Sequence, residues 1–430
     1  MQRQSSFSKP ILAVAGLAVL AIVVAWFGAK PGRDQTRLPG ANGSAADAPA
    51  SAATPPNQSS PDDSELRPQS EAERAKLSKP LLSVQPISRA AKPAGTPPPA
   101  IARTEPSAYT RQLVAGLTNL DFNRGPITKE QAEQWKQGLQ TLVSQGAGGV
   151  PAIREFLEQN QELNFSALGG GEQLGQSSLR SAMINALAQI GGPEATGVML
   201  QTLQSTTLPS EIAQLAQVLE QQTPGQYRQE TMTAIQEILG MAGKGQLEGY
   251  DVGPLFKVLQ NYGDPGSVSA LEQLAPEWRY YATLSLAGLQ GAAGVPGLVR
   301  DVQDPAAAGR RDFAYQMLAQ IAGQSPDAGA ALLEQARANQ IPDNAWKKIA
   351  TGLAGDQYQL GTPPGDFTTL PGLKTYHIQN GNQNFYSLPV AADAQTEQRL
   401  ALVNQLLSGT SNPAAVAALQ WARETLTAKK

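Results

Sequence analysis

Five times between Met183 and Gly355 the chain repeats one arrangement, with helix-face residues at offsets 0, +4 and +7 and a glycine at +9. The copies are Met183, Leu187, Ile190, Gly192; Thr231, Ile235, Ile238, Gly240; Ala282, Leu286, Leu289, Gly291; Ala314, Leu318, Ile321, Gly323; and, more loosely, Trp346, Ala350, Leu353, Gly355. Those offsets put three side chains on one stripe of a helix, and a glycine just past its end is free to take the left-handed conformation. Successive glycines lie 48, 51, 32 and 32 residues apart. A step of 32 accommodates one helix pair, and the longer steps leave room for an extra helix at 210–222 and at 267–274. A helix pair with a single apolar face cannot cover that face alone, so its neighbour in the chain must, and the result is a stack.

From Tyr109 onward apolar residues recur three and four apart, with Gly or Pro punctuating the pattern, and period-two alternation is nearly absent. The pattern predicts sixteen helices, at 109–120, 129–144, 150–159, 177–190, 194–204, 210–222, 226–241, 252–262, 267–274, 277–289, 294–302, 306–321, 326–338, 343–353, 395–407 and 413–427. The expected fold is all-α. It comprises a helical-repeat domain over 108–355, an irregular insertion over 356–394 and two capping helices over 395–430.

Within this domain residues 178–204, SLRSAMINALAQIGGPEATGVMLQTLQ, resemble a HEAT-type repeat of the short variety found in phycobilisome-lyase-like proteins. Arg180, Ala186, Leu187, Ile190, Gly191 and Pro193 match that pattern, and Arg279, Ala282, Leu286, Leu289, Gly291 and Pro296 repeat much of it. The resemblance covers about residues 150–355. It implies a right-handed α-solenoid used as a binding surface, and it implies no lyase activity, because the motif is structural and fold does not fix function.

The N-terminal quarter has a different composition. Residues 11–29, ILAVAGLAVLAIVVAWFGA, are 19 residues without a charge. As a helix they would cover about 28 Å, close to the roughly 30 Å hydrocarbon core of a bilayer. Trp26 and Phe27 stand where a small-residue cleavage site would have to be, which favours a retained anchor over a cleaved signal. Arg3 and Lys9 precede the helix and Lys30, Arg33 and Arg37 follow it, so the positive-inside rule barely decides orientation; a short tail (residues 1–10) ahead of a first anchor favours a cytoplasmic N-terminus with the remainder of the chain outside the cytoplasm. Residues 30–107 hold 14 prolines and no Phe, Trp or Tyr, so they cannot bury enough apolar area to offset backbone entropy and read as a disordered linker. Such a coil would span about 50 Å. One patch in it, with Leu77, Leu81, Leu82, Val84 and Ile87, reads either as a docking segment for a partner or as a stretch that packs back on its own domain.

Composition narrows the chemistry. The chain has no cysteine and one histidine, His377, which excludes disulfides, thiolate metal sites and any mechanism that needs two histidines. A formal charge of −3 without a Lys/Arg tract argues against nucleic acid as a partner. Nothing in the sequence calls for a cofactor. Asp264, Asp301, Asp304 and Asp343, each beside a proline or a helix end, read as caps or turn formers. The glycine-rich residues 167–177 lack the Lys-Ser/Thr ending of a phosphate loop and read as a flexible loop between repeats.

Two places stand out as partner-binding candidates. Trp278, Arg279 and Tyr281, beside Tyr280, are of the types enriched at interface hot spots, with aromatic filler between unequal repeats as the alternative. In the insertion, Asn380-Gly381 is a strong hairpin turn that sets Tyr376 opposite Phe385 and His377 opposite Asn384, with Tyr386 following. The preferred functional expectation is a membrane-anchored scaffold for a protein or peptide partner, without catalysis. The competing one is an envelope enzyme or subunit whose site forms where 356–394 folds onto the solenoid.

Overall fold

The computed structural model describes residues 83–84, 103–119, 125–247, 250–355 and 395–428, all within the compact unit that runs from Glu71 to Lys430. Sixteen α-helices lie among the described residues: α1 (Ala108–Thr118), α2 (Lys129–Ser144), α3 (Val150–Glu158), α4 (Leu179–Ile190), α5 (Gly192–Ser205), α6 (Pro209–Gln222), α7 (Arg228–Gly243), α8 (Gly253–Tyr262), α9 (Pro265–Leu274), α10 (Arg279–Ala287), α11 (Val295–Gln303), α12 (Ala308–Ile321), α13 (Pro326–Arg337), α14 (Ala345–Leu353), α15 (Thr396–Gly409) and α16 (Pro413–Ala428). They coincide with the sixteen read from the sequence, and no end is displaced by more than two residues. Local chemistry explains the agreement. Ser107, Ser178, Asp264 and Ser325 each accept a backbone N–H at a helix start, Thr128 and Gln131 form a reciprocal capping box, and prolines occupy the first turn of eight of these helices, α3 among them. The span 11–29 and the insertion 356–394 lie outside the described residues; among those residues no helix is long and apolar enough to cross a membrane.

The recurring stripe is buried in all five copies: Met183, Leu187, Thr231, Ile235, Ile238, Ala282, Leu286, Leu289, Ala314, Leu318, Ile321, Trp346, Ala350 and Leu353 are inside, and Ile190 packs against them. Every substantial helix–helix contact joins helices one or two places apart, such as α11 with α12, α12 with α14, α6 with α8 and α14 with α16. Each stripe is therefore covered by chain neighbours.

The terminal glycines serve different ends. Gly192 and Gly355 have positive φ just past α4 and α14, as a left-handed stop requires, whereas Gly291, also at positive φ, lies in the 3-10 turn Gln290–Ala292 after α10 has ended at Ala287. Gly240 lies inside α7, which ends instead before the left-handed Gly245. Gly323 has no positive φ; a Cβ there would sit 2.6 Å from the Arg399 Nε, so the glycine makes room for that side chain.

Two connections differ from expectation. Residues 167–177 are ordered, with 3-10 turns at Phe165–Ala167 and Gly171–Leu174 around buried Phe165 and Leu174. Ile127 N donates to Gly169 O at 2.8 Å, Gln173 Nε2 donates to Ile127 O at 3.0 Å, and a Cβ on Gly171 would fall 1.9 Å from Phe165 O, so the glycines serve close packing rather than flexibility. In the Leu77–Ile87 patch, strand β1 (Ser83–Val84) pairs antiparallel with β2 (Gln161–Glu162), in the register Ser83 to Glu162 and Val84 to Gln161. Those two residues thus lie on the chain's own domain, as in the second of the two readings, while Leu81 and Leu82 fall outside the described residues.

Candidate functional site

Of the residues singled out from sequence, Trp278, Arg279 and Tyr281 are 2%, 5% and 1% exposed, so the structure puts them in the core and not on a partner-facing surface. Trp278 precedes α10 with non-helical φ −113° and ψ 42° and turns inward. The ring of Phe256 stacks on Tyr281 at 5.3 Å and lies 6.1 Å from Trp278, and Tyr281 donates to Asp251 Oδ1 at 2.8 Å. Tyr280 is the residue left half-exposed, edge-on to Phe313 at 5.2 Å. This cluster fills the core between helices. Tyr376, His377, Phe385 and Tyr386 lie outside the described residues.

The acidic residues divide in a similar way. Asp264 caps α9, accepting from Ser267 N at 2.8 Å, and Asp304 forms a turn by accepting from Ala306 N at 2.9 Å. Asp343 accepts from Asn412 Nδ2 at 2.6 Å. Asp301 is no cap. It lies within α11, 8% exposed, and pairs with Arg310 at 3.2 Å, and burial pushes its carboxyl above the usual range against that arginine's pull. Among the described residues no three His, Cys, Asp or Glu side chains are grouped to hold a metal ion.

A polar feature accompanies the stripe and takes in Arg180 and Arg279, which match the HEAT-type pattern, together with two further arginines. Arginines stand three residues ahead of the stripe in its first four copies: Arg180 before Met183, Arg228 before Thr231, Arg279 before Ala282 and Arg311 before Ala314. An offset of −3 lies on the same helical face as the apolar residues, so these cations enter the seams between helices. Arg180, 2% exposed, donates Nη1 to Leu157 O at 2.9 Å and grips Glu211 of α6 through Nε and Nη2. Arg228 pairs with Glu220 and, at 3.1 Å, with Asp264, and lies over the Tyr262 ring at 4.8 Å. Arg311 Nε donates to Val302 O at 3.0 Å. Arg399 of α15 donates to Gln320 O, Gly352 O and Leu353 O. Several of these acceptors are carbonyls of the last helical turn, which have no partner within their own helix and carry the negative end of its dipole.

Glu162, on β2 beside this seam, accepts from Leu163 N at 2.7 Å. Burial, and next the Glu211 charge, hold its carboxyl above the usual range, against that hydrogen bond and the attraction of Arg180. The folded chain therefore binds this proton more tightly than the unfolded chain. The stability so gained is present below the ordinary carboxyl pKa and is lost as pH rises through the elevated value. Glu162→Gln, neutral throughout, is expected to match the wild type at about pH 3 and to exceed it in urea midpoint at about pH 7. A variant less stable than wild type at neutral pH would contradict this.

Between α3 and α5 a pocket of about 290 Å³ opens next to the segment that precedes α1. One face of α3 supplies Arg154, Leu157 and Glu158; one face of α5 supplies Val198, Gln201, Thr202 and Ser205; Arg103 and Asn160 complete the rim. Leu157 and Val198 are buried apolar walls. Glu158 Oε1 accepts from Arg103 Nη2 at 3.3 Å and from Gln201 Nε2 at 2.9 Å. Thr202 and Ser205 spend their hydroxyl protons on the carbonyls of Val198 and Gln201. Arg154 is 8% exposed, and no hydrogen bond or ion pair from the described residues reaches its guanidinium.

Comparison with family models, with curated proteins and with solved structures finds no match. Function has to be read from the geometry alone.

Proposed function

We propose that this chain is a membrane-anchored helical-repeat scaffold. Residues 11–29 hold it in a bilayer, residues 30–107 act as a proline-rich tether, and the helical domain forms a HEAT-like α-solenoid that binds a protein or peptide partner on the side of the membrane away from the N-terminus, without catalysis of its own. The observation that supports the reading is that, among the described residues, the substantial helix packing joins helices one or two places apart. A chain organised in that way grows by stacking and presents extended faces, the usual basis of partner binding in helical-repeat proteins. The arginines at the seams support it, because their observed partners bind one helix to another, Arg180 to α3, Arg311 to α11 and Arg399 to α12 and α14. A tether of this length sets a search radius and an effective concentration for the tethered domain.

The test is proximity labelling from the C-terminus in intact cells, which reports compartment and neighbours together. The expected result is a restricted set of labelled proteins on the far side of the membrane, lost when residues 103–428 are deleted and the anchor is kept. Labelling confined to the N-terminal side, or unchanged by that deletion, would refute the proposal.

A further inference from the structure

We propose that the pocket between α3 and α5 is a binding site for a single carboxylate group, with Arg154 as its anchoring cation. A guanidinium almost wholly removed from water ordinarily has a carboxylate, carbonyl or other acceptor on its N–H groups, because leaving such a cation unpaired is costly. Every other deeply buried arginine discussed above has a partner: Arg180 has Glu211, Arg279 has the Tyr280 hydroxyl, and Arg399 has three carbonyls. Arg154, 8% exposed against 2%, 5% and 1% for those three, lines the pocket and has none. Of the carboxylates on the same helix, Glu155 is paired with Arg111 and Glu158, one turn away, is engaged by Arg103 and Gln201. Its guanidinium opens onto the pocket, where an acceptor from outside the described chain can reach it.

The chemistry of the walls selects the class of group. Arg103 and Arg154 against Glu158 leave one positive charge uncompensated in the pocket, which a monoanion cancels and a dianion overshoots. Glu158 Oε2 and the hydroxyl oxygens of Thr202 and Ser205 present lone pairs that disfavour a group with charge on every side. A planar carboxylate, by contrast, takes two parallel N–H bonds from one edge of a guanidinium. Leu157 and Val198 supply apolar surface for a short carbon stem. The volume of about 290 Å³ suits one small group rather than an extended ligand. The carboxylate has two natural sources, an acidic side chain of a peptide and a free small organic acid.

The experiment is a titration of the purified full-length chain in detergent micelles, followed by the side-chain N–H signals of isotope-labelled arginine. Probes are N-acetylglutamate α-amide, propionate, the neutral analogue N-acetylglutamine amide and inorganic phosphate. The two carboxylates are expected to move one arginine signal saturably, and the neutral amide to move none. Arg154→Gln is expected to abolish the response. Arg154→Lys, which keeps the charge and loses the fork, is expected to weaken binding about tenfold. Arg423→Gln, far along the chain on α16, leaves it unchanged. Should Arg154→Gln fail to fold, Glu158→Gln provides the second reading: removing the wall's own anion is expected to tighten carboxylate binding about threefold or more. Tighter binding of the peptide-like probe than of propionate identifies a peptide side chain as the source, and equal binding identifies a free acid. A neutral amide that binds as well as the acid, an Arg154→Gln chain that binds like wild type, a Glu158→Gln chain that binds no better, or phosphate bound more tightly than either acid overturns the proposal.

Discussion

Glu211→Ala is expected to lower the unfolding free energy by about 3–5 kcal/mol, the range for a buried ion pair that loses one member. Glu211 is 4% exposed in the first turn of α6, where the helix dipole already favours a negative charge. Besides the two bonds from Arg180, its Oε2 accepts from Thr206 Oγ1 at 2.6 Å. Burial pulls the Arg180 guanidinium toward its neutral form, but the charge and hydrogen bonds of Glu211 outweigh it and hold the pKa above the ordinary arginine value. Without Glu211 that cation remains between α3, α4 and α6, with Leu157 O as its strongest remaining hydrogen bond. Arg180→Met combined with Glu211→Leu removes both charges, and a double variant of that kind often recovers most of the loss. Urea denaturation of the three chains separates the two effects. A single variant within about 1 kcal/mol of wild type would mean that water reaches the seam and screens the pair.

The helices were legible because their determinants are local. A stripe at 0, +4 and +7, a serine or aspartate at the start and a proline in the first turn act within four residues of one another, so tertiary context had little to override. Misreadings occurred where one residue type answers two demands. Gly240 occupies a stop position but sits mid-helix, where a glycine costs only about 1 kcal/mol, and Gly245 makes the stop five residues later. Gly323 resembles its repeat counterparts yet is small for the sake of Arg399, a residue 76 positions on, and no local pattern carries that information.

The polar seams and the pocket were harder to read for the same reason. Arg154 and Glu158, four apart on α3, look like an ordinary surface pair, and only the approach of Arg103 and of Gln201, 55 and 43 residues from Glu158, diverts the glutamate and isolates the arginine. The arginine at −3 was different. It recurs in four copies at a constant offset from the stripe, so Arg228 and Arg311 could have been found alongside Arg180 and Arg279 by extending the repeat one residue-triplet toward its N-terminus. Trp278 and Tyr281 show the converse error: residue types favoured at interfaces are equally suited to filling the gap between repeats of unequal length, and the backbone turn before α10 decides the matter.

The second large effect belongs to Arg399. It is 1% exposed and faces no carboxylate; burial draws its pKa down to about 10, which still leaves it charged at neutral pH. Its Nη1 donates to Gly352 O at 2.7 Å and to Leu353 O at 3.3 Å, and its Nη2 to Gln320 O at 2.6 Å, so one side chain of α15 closes the C-terminal ends of α12 and α14 together. Arg399→Met keeps an unbranched apolar stem and removes a buried charge, which is a gain, but it leaves those carbonyls short of donors at roughly 1–3 kcal/mol each. Gly355 N still reaches Gly352 O at 3.1 Å, so the uncompensated acceptors are Gln320 and Leu353, and the expected net loss is about 2 kcal/mol or more. Gly323→Ala tests the same contact from the other side, because the new methyl would stand 2.6 Å from Arg399 Nε and 3.0 Å from Gln395 Oε1. In the wild-type background it should displace the guanidinium and cost about 1–3 kcal/mol by overpacking. With methionine at position 399 that clash is relieved, so the double variant should be less destabilised than the sum of the singles, by a coupling energy of about 0.5–3 kcal/mol. Urea unfolding of the four chains measures it, and strictly additive losses would show that Gly323 and Arg399 stabilise the fold through separate contacts.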